Sequence, residues 1–196
     1  LINNAGLFRC PYMLTEDKLE MQMGVNHFGH FLLTKLLLDK MKESAPSRIV
    51  VVSSGLSKLG EIDFDNLNSE KSYDKKHAYY NSKLANEMFS YELAQRLENS
   101  GVGVYCLRPG MVWTNLGRYV PIPWYLKPVA YPLAKLFIKS PWQGCQTVLY
   151  CAMAKELEGV SGKYYSNCKE QEWNTKVLDK ESRNKLWQVS EEITQM

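Results

Sequence analysis

Tyr79 and Lys83 are the residues of this sequence whose types and spacing best suit acid–base chemistry. They lie four positions apart, so on a helix their side chains share one face. A free phenol titrates near about pH 10, too high for ready proton exchange at neutral pH, whereas a neighbouring ammonium favours the phenolate. Such a tyrosine can serve as a general acid or base. The pair alone is weak evidence, because the same spacing is typical of a solvated pair on a helix surface.

Other polar residues lie where they could assist Tyr79. Ser54 follows a predicted buried strand and could hydrogen-bond a carbonyl oxygen, although serines are also ordinary turn residues. Asn26 lies in a predicted helix, where asparagine is unfavourable; the structural alternative is a satisfied helix amide. Asn3-Asn4-Ala5-Gly6 and Pro109-Gly110 are turns at predicted strand ends. Because open α/β sheets bind ligands beyond the carboxyl ends of their strands, we expect a site at that edge.

The segments that must position these residues alternate between predicted strands and helices. Strands are predicted at the chain start and over 49–52, 102–107 and 163–166, and helices over 15–42, from after 77 to about 99, over 140–154 and over 182–193. The run 49–52 is wholly β-branched, which is typical of a central parallel strand covered on both faces. The first helix carries an apolar stripe formed by Leu32, Leu33, Leu36 and Leu37. This order predicts an α/β fold with a doubly wound, Rossmann-type parallel sheet.

The composition narrows the class of protein. The chain has 196 residues, of which 45% are hydrophobic and 23% charged, as in an ordinary globular domain. The net charge of +3 is small and scattered, so no nucleic-acid partner is predicted. Five cysteines without a Cys-x-x-Cys pair predict reduced thiols rather than disulfides or zinc ligands. The three histidines are predicted to be structural or exposed, and no metal site is predicted.

Taken together, the motifs resemble the short-chain dehydrogenase/reductase family. Asn-Asn-Ala-Gly, a helix Asn, a strand-end Ser, Tyr-x-x-x-Lys and Pro-Gly follow in that family's order over nearly the whole chain. The strings 25–34, 79–86 and 159–165, and the long polar insertion before Tyr79, are similar to the retinol dehydrogenase subgroup of types 11 to 14. One departure is Arg108, where the subgroup commonly has His before Pro-Gly. We do not expect Arg108 to alter the chemistry, since it precedes the cofactor contacts.

The resemblance implies hydride transfer between a nicotinamide and an alcohol or carbonyl carbon. Tyr79 would donate and accept the proton, and Lys83 would lower its pKa and hold the nicotinamide ribose. Ser54 would bind the substrate oxygen together with Tyr79, and Asn26 would support a water-linked proton relay to Lys83. The implied cofactor contacts, besides Tyr79 and Lys83, are Asn3, Ala5 and Gly6 on the adenosine side and Pro109, Gly110, Val112 and Thr114 around the nicotinamide. The implied cofactor is NADP, with NAD not excluded.

Residues 119–139 occupy the position of the family's substrate loop. Their aromatic and aliphatic side chains suit a long hydrophobic alcohol or aldehyde, such as retinol or retinal, or else a lipid aldehyde or a steroid. The lysines at 127, 135 and 139 also suit peripheral contact with a membrane surface. The structural alternative is a helix pair packed on the core. The resemblance implies an intracellular protein, at the endoplasmic reticulum membrane or otherwise cytoplasmic, and is compatible with a homodimer.

Family members carry a Gly-rich phosphate-binding turn after their first strand, which this sequence does not contain. Residues 1–196 therefore resemble the C-terminal two-thirds of a single family domain, an incomplete Rossmann-type fold starting at the family's fourth strand. Two alternatives remain open. The chain is a fragment of an active oxidoreductase, in which case we expect it to be inactive alone, or it exists as it stands and is a non-catalytic remnant or interaction module.

Overall fold

The computed structural model of the protein describes residues 1–120, 123, 125 and 138–195. Within them, five strands form one sheet in chain order, and the first four strands are parallel while the fifth is antiparallel to the fourth. The strands are β1 (Ile2–Asn3), β2 (Ser47–Val52), β3 (Val102–Arg108), β4 (Lys163–Ser166) and β5 (Lys169–Gln171). The predicted parallel strands are thereby confirmed, and β5 is an addition that the sequence analysis did not predict.

Helices cover both faces of this sheet. They are α1 (Met21–Met23), a π-helical segment (Gly24–Phe28), α2 (Gly29–Glu43), α3 (Lys75–Arg96), α4 (Pro141–Met153), α5 (Thr175–Leu178) and α6 (Lys180–Thr194), with 3-10 turns at Gly55–Leu59, Asn115–Tyr119 and Lys155–Leu157. One face of the sheet packs against α2, α3 and α6, where Phe31, Phe89 and Trp187 meet. The other face packs against α4 through Cys151. The predicted α/β, Rossmann-type architecture is confirmed.

The β-branched run of β2 explains why this strand is central. Ile49 and Val51 enter the core beneath α2 and α3, whereas Val50 and Val52 enter the core beneath α4. All four are at most 6% exposed. Burying each such side chain stabilises the fold by about 1.5–3 kcal/mol. The strand that precedes Ser54 is therefore among the most firmly held parts of the sheet.

Side-chain caps determine where two helices begin. Asp74 caps α3 by accepting hydrogen bonds from the backbone N–H groups of Lys76 and His77. Ser140 and Gln143 form a reciprocal capping box at α4, with Pro141 in the first turn. The predicted start of α4 is confirmed. The cap at Asp74 matters for the site, because it sets the first turn of the helix that carries Tyr79.

The apolar stripe predicted for the first helix is wrong in its orientation. Leu33, Leu36 and Leu37 are 42%, 64% and 38% exposed, and the buried positions of α2 are instead His30, Phe31 and Thr34. At 3.6 residues per turn, Leu33 and Leu36 lie across the helix from Phe31. The helical segment also begins at Met21 rather than Thr15.

The remaining sequence predictions concern the histidines, the cysteines and the substrate loop. His27 and His30 are buried and His77 is exposed, as predicted. Burial lowers the pKa of His27 to about 3 and that of His30 to about 4, so both are neutral. The five cysteines are free thiols. None of the described helices is both long and apolar enough to cross a bilayer. Most of the predicted substrate loop, including Trp124, Leu126, Lys127, Tyr131, Lys135, Leu136 and Phe137, lies outside the described residues.

Candidate active site

The ends of β1, β2 and β3 place the candidate residues at one edge of the sheet. Asn3 of β1 pairs with Val51, and Val52 pairs with Leu107 of β3, so the three strands end side by side. The turns that follow carry Asn4-Ala5-Gly6, Ser53-Ser54 and Pro109-Gly110. The predicted juxtaposition of these turns at the carboxyl edge is confirmed.

Tyr79 and Lys83 are buried on α3, with exposures of only 4% and 3%. The Lys83 ammonium lies 5.9 Å from the centroid of the Tyr79 ring and donates a hydrogen bond of 3.0 Å to the carbonyl of Val52. Burial lowers the pKa of Lys83 to about 8 and raises the pKa of Tyr79. The alternative of a solvated surface pair is therefore wrong. A buried cation beside a buried phenol is instead a candidate site for proton transfer.

Ser54 meets Tyr79 from the neighbouring strand end. It caps the 3-10 turn, its Oγ accepting from the N–H of Leu56 at 3.3 Å, and it is half-buried. A hydrogen bond between the Ser54 and Tyr79 side chains lowers the pKa of Tyr79, opposing the larger effect of burial. Two hydroxyls in contact can both bind one substrate oxygen, which is the geometry that acid-assisted carbonyl reduction requires. The Phe8 ring packs edge-on against Tyr79 at 4.6 Å, a neighbour that the sequence analysis did not single out.

Asn26 lies in the π-helical segment, a distortion that recurs at functional sites. Its side chain donates to the Leu7 carbonyl at 3.0 Å and to Ser82 Oγ at 2.9 Å, and accepts from the Leu7 N–H at 2.8 Å. Ser82 in turn donates to the Tyr79 carbonyl at 2.8 Å. Asn26 thus ties the loop after β1 to the first part of α3. Its amide is satisfied, as the structural alternative expected, and the water-linked relay to Lys83 stays a prediction.

The backbone after β1 approaches Asn26 and the Lys83 ammonium closely at Gly6. A Cβ on Gly6 would lie 3.1 Å from Asn26 Oδ1 and 3.7 Å from Lys83 Nζ. Asn3 donates to Thr34 Oγ1 at 2.8 Å, while its own buried Oδ1 has no partner within the described part of the chain. Ala5 is exposed. An ammonium facing a cradle without a side chain fits a hydroxyl-rich group such as a ribose. The assignment of Gly6 to the adenosine side stays a prediction of the resemblance.

The close approach at Gly6 leads to a testable prediction. We expect Gly6→Val to weaken nicotinamide-nucleotide binding at least about tenfold, equivalent to about 1.4 kcal/mol, because the new side chain fills the space beside Lys83. Fluorescence titration of the full-length gene product with NADPH measures the affinity. Gly117→Val is the matched control, since no atom lies within 4 Å of a Cβ at Gly117. Equal affinities for the two variants would contradict the cradle.

The turn after β3 holds the remaining cofactor candidates. Gly110 has a φ of 86°, which favours glycine. Val112 forms an isolated parallel bridge with Lys139, made by the Met111 carbonyl and the Trp113 N–H at 2.9 Å each. Since alternate residues of an extended chain point their backbone groups to opposite sides, the N–H and carbonyl of Val112 face away from Lys139. Val112 is therefore placed to offer both groups to an amide.

Thr114 and Pro109 are also engaged locally. The Thr114 hydroxyl caps the 3-10 turn by accepting from the Leu116 N–H at 3.3 Å, and the side chain is exposed. The Lys139 ammonium donates to the Pro109 carbonyl at 3.0 Å and to Asn167 Oδ1 at 2.6 Å. Lys139 therefore braces the turn after β3, a role that the sequence analysis did not assign when it grouped this lysine with a membrane-facing set.

Comparisons with known proteins find one family model and a group of similar relatives. The family model described as short chain dehydrogenase matches residues 1–121. Human retinol dehydrogenase 14 is 57% identical over 191 residues, which are 97% of this chain and 57% of that protein. Mouse retinol dehydrogenase 11 is 50% identical over 190 residues, which are 97% of this chain and 59% of that protein. The chain thus spans less than two-thirds of the length of these relatives.

Solved structures agree on the architecture. A protein from Mycobacterium paratuberculosis matches all of this chain and 66% of its own, with a TM-score of 0.71 and 28% identity. A short chain dehydrogenase from Salmonella enterica serovar Typhi matches 85% of this chain and 60% of its own, with a TM-score of 0.59. At 22% identity, the second likeness shows the fold alone.

The Rossmann-type sheet, with Ser54, Tyr79 and Lys83 gathered at its carboxyl edge, defines an α/β protein whose candidate site lies where open parallel sheets bind ligands. The family match and the sequence identities make this assignment specific. The chain belongs to the short-chain dehydrogenase family, as a retinol dehydrogenase-like member.

Proposed function

We propose that the protein is an NADP-dependent oxidoreductase that interconverts a hydrophobic alcohol and its aldehyde or ketone, with retinol and retinal as the first candidates. The observation that carries this proposal is the burial of Tyr79 and Lys83 together on one face of α3, at the sheet edge where β2 ends in Ser54. The identity to proteins named retinol dehydrogenases supports the choice of substrate. The preference for NADP over NAD is taken from the subgroup resemblance.

Tyr79, Ser54 and Lys83 have different roles in the proposed reaction. The bound nicotinamide supplies or accepts the hydride. In reduction, the Tyr79 hydroxyl donates its proton to the carbonyl oxygen, and in oxidation the phenolate takes the proton from the alcohol. Ser54 donates a hydrogen bond to the same oxygen. With a pKa of about 8, Lys83 is mostly charged at neutral pH, so its ammonium can donate to a ribose hydroxyl. That it also favours the phenolate stays a prediction of the resemblance, because burial raises the pKa of Tyr79 and only the hydrogen bond with Ser54 lowers it.

The remaining candidates would bind the cofactor and the substrate. Asn3, Ala5 and Gly6 would contact the cofactor from the loop after β1, and Pro109, Gly110, Val112 and Thr114 would contact it from the turn after β3. Asn26 would support the relay to Lys83, in addition to tying the loop after β1 to α3. Residues 119–139 as a substrate loop, peripheral contact with a membrane such as the endoplasmic reticulum, and a homodimer stay predictions of the resemblance.

Substrate profiling of the full-length gene product tests the proposed function. We expect NADPH oxidation on addition of retinal, with retinol recovered by chromatography, and slower oxidation with NADH. Turnover of a lipid aldehyde or a steroid ketone without turnover of retinal would contradict the substrate but keep the reaction class. An absence of turnover with every carbonyl and every alcohol, with either cofactor, would contradict the oxidoreductase itself.

A further inference from the structure

A buried acid that the proposed chemistry does not use lies next to the site. Glu87 follows Lys83 by one turn of α3 and is 1% exposed. Its Oε1 atom accepts from Ser53 Oγ at 2.9 Å and from Ser57 Oγ at 2.6 Å. Removing a carboxylate from water costs several kcal/mol unless its hydrogen bonds are replaced. The two serine hydroxyls supply such replacements, so this side chain is built into the turn after β2.

The two serines lie on either side of Ser54. The single Ser53 hydroxyl proton is shared between Glu87 and the Lys83 carbonyl, which also lies 2.9 Å from Ser53 Oγ, so the end of β2 is attached to α3. Further along the turn, a Cβ on Gly60 would lie 2.7 Å from the Tyr80 carbonyl, so the chain runs directly against α3 there. The short segment that presents Ser54 is thus fastened to the helix that presents Tyr79, and Glu87 holds it both before and after Ser54.

Arg108 and Tyr164 approach the same carboxyl group from the neighbouring strands. Burial raises the pKa of Glu87, whereas hydrogen bonds from Ser57, Ser53 and Tyr164 and the charge of Arg108 lower it. The Arg108 Nη1 atom also lies 3.2 Å from where a Cβ on Gly55 would be. Arg108 is the departure from the subgroup noted in the sequence, and the structure places its guanidinium against Gly55 in the turn that carries Ser54.

We propose that Glu87 is a positioning residue of the active site, which holds Ser53 and Ser57 to α3 and thereby fixes Ser54 beside Tyr79. The proposal rests on the proposed function, because Ser54 and Tyr79 are its proton-transfer pair. A misplacement of about 1 Å between groups that act together can cost about 100-fold in rate. The benefit of Glu87 is therefore expected in turnover rather than in nucleotide binding.

A spectroscopic test works without turnover. The ¹³Cζ resonance of Tyr79, assigned by its loss in Tyr79→Phe, reports the hydrogen bond to the phenol, and Ser54→Ala gives its position without Ser54. We expect Ser57→Ala and Glu87→Leu to move the resonance toward the Ser54→Ala position. Ser90→Ala is the matched control, since Ser90 is a buried serine of α3 whose hydroxyl donates to the Asn86 carbonyl of the same helix at 2.6 Å.

Steady-state kinetics of the full-length gene product provide the second readout. We expect kcat for carbonyl reduction to fall about 10- to 100-fold in Ser57→Ala and Glu87→Leu, with the KM for NADPH unchanged. Glu87→Gln keeps an oxygen acceptor for both serines and is expected to restore most of kcat. Ser90→Ala is expected to lose stability without losing kcat.

The two readouts separate failure of this proposal from failure of the proposed function. A Tyr79 resonance that stays at its native position in both Ser57→Ala and Glu87→Leu overturns the positioning role, whatever the activity. A protein without turnover whose resonance moves as expected keeps the positioning role and contradicts only the function. Should Glu87→Leu not fold, Ser57→Ala decides the outcome alone.

Discussion

Tyr79→Phe is expected to lower kcat for carbonyl reduction about 10²–10⁴-fold, the range that a positioned general acid contributes. The substitution removes only a hydroxyl. The ring is expected to keep its place, because it is buried and packed edge-on against Phe8. Substrate and nicotinamide can still bind, but the carbonyl oxygen, which gains the C=O π electron pair when hydride adds to the carbon, has no proton donor. NADPH oxidation by the full-length gene product measures the loss, and thermal unfolding shows that the fold is retained.

Tyr80→Phe is the matched control for this variant. Tyr80 is also buried on α3 and its hydroxyl accepts a hydrogen bond from Arg9 at 3.3 Å, so its removal costs a comparable interaction. Tyr80 also stands three positions before Lys83, where Tyr79 stands four before it. Normal turnover by Tyr79→Phe, or a larger loss in Tyr80→Phe, would contradict the assignment of the acid.

Short-range patterns were enough to predict the sheet and the centre of the site. The β-branched run of β2 predicted a strand buried on both faces, and the structure buries it on both. The spacing of Tyr79 and Lys83 predicted that they share a helix face. The turns at the strand ends predicted a site at the carboxyl edge of the sheet. Each of these signals lies within a few residues of chain, which is why the sequence alone carries them.

Features that depend on distant partners could not be read in the same way. Glu87 follows Lys83 at the spacing of a surface ion pair, yet its partners, Ser53 and Ser57, come from the turn after β2, about thirty residues earlier in the chain. The exposed leucines of α2 satisfy helical periodicity, but which side of a helix is buried depends on what packs there. The β4–β5 hairpin turns at Asn167 and Cys168, which both have positive φ, as a type I′ turn requires. Asn167 is a local signal for such a turn, because asparagine adopts positive φ more readily than most residues.

Lys83→Met is expected to abolish turnover while it stabilises the folded chain, by about 1–3 kcal/mol at pH 7. Burial lowers the pKa of Lys83 from 10.5 to about 8, and at about 1.36 kcal/mol per pKa unit the native state bears a cost of about 3 kcal/mol for keeping this ammonium. Methionine has a similar length and no charge, so it removes that cost. The lost hydrogen bond to the Val52 carbonyl offsets part of the gain.

The pH dependence distinguishes this cause from a general packing effect. Between about pH 8 and 10.5 the unfolded chain binds more protons at Lys83 than the folded chain, so the native protein gains stability as pH rises through this range. The advantage of Lys83→Met should therefore be full below pH 8 and fade toward pH 10.5. Urea unfolding of the chain across this range measures it, with the exposed Lys76→Met as a control expected to change stability by less than about 0.5 kcal/mol. Two results would contradict this prediction: a difference in the free energy of unfolding that stays constant with pH, or a Lys83→Met chain less stable than the native one below pH 8. Either would show that burial of the Lys83 ammonium does not destabilise the fold. If the difference does fade, a cation that destabilises the fold has been kept where the phenol of Tyr79 needs it, and chemistry rather than folding accounts for its place.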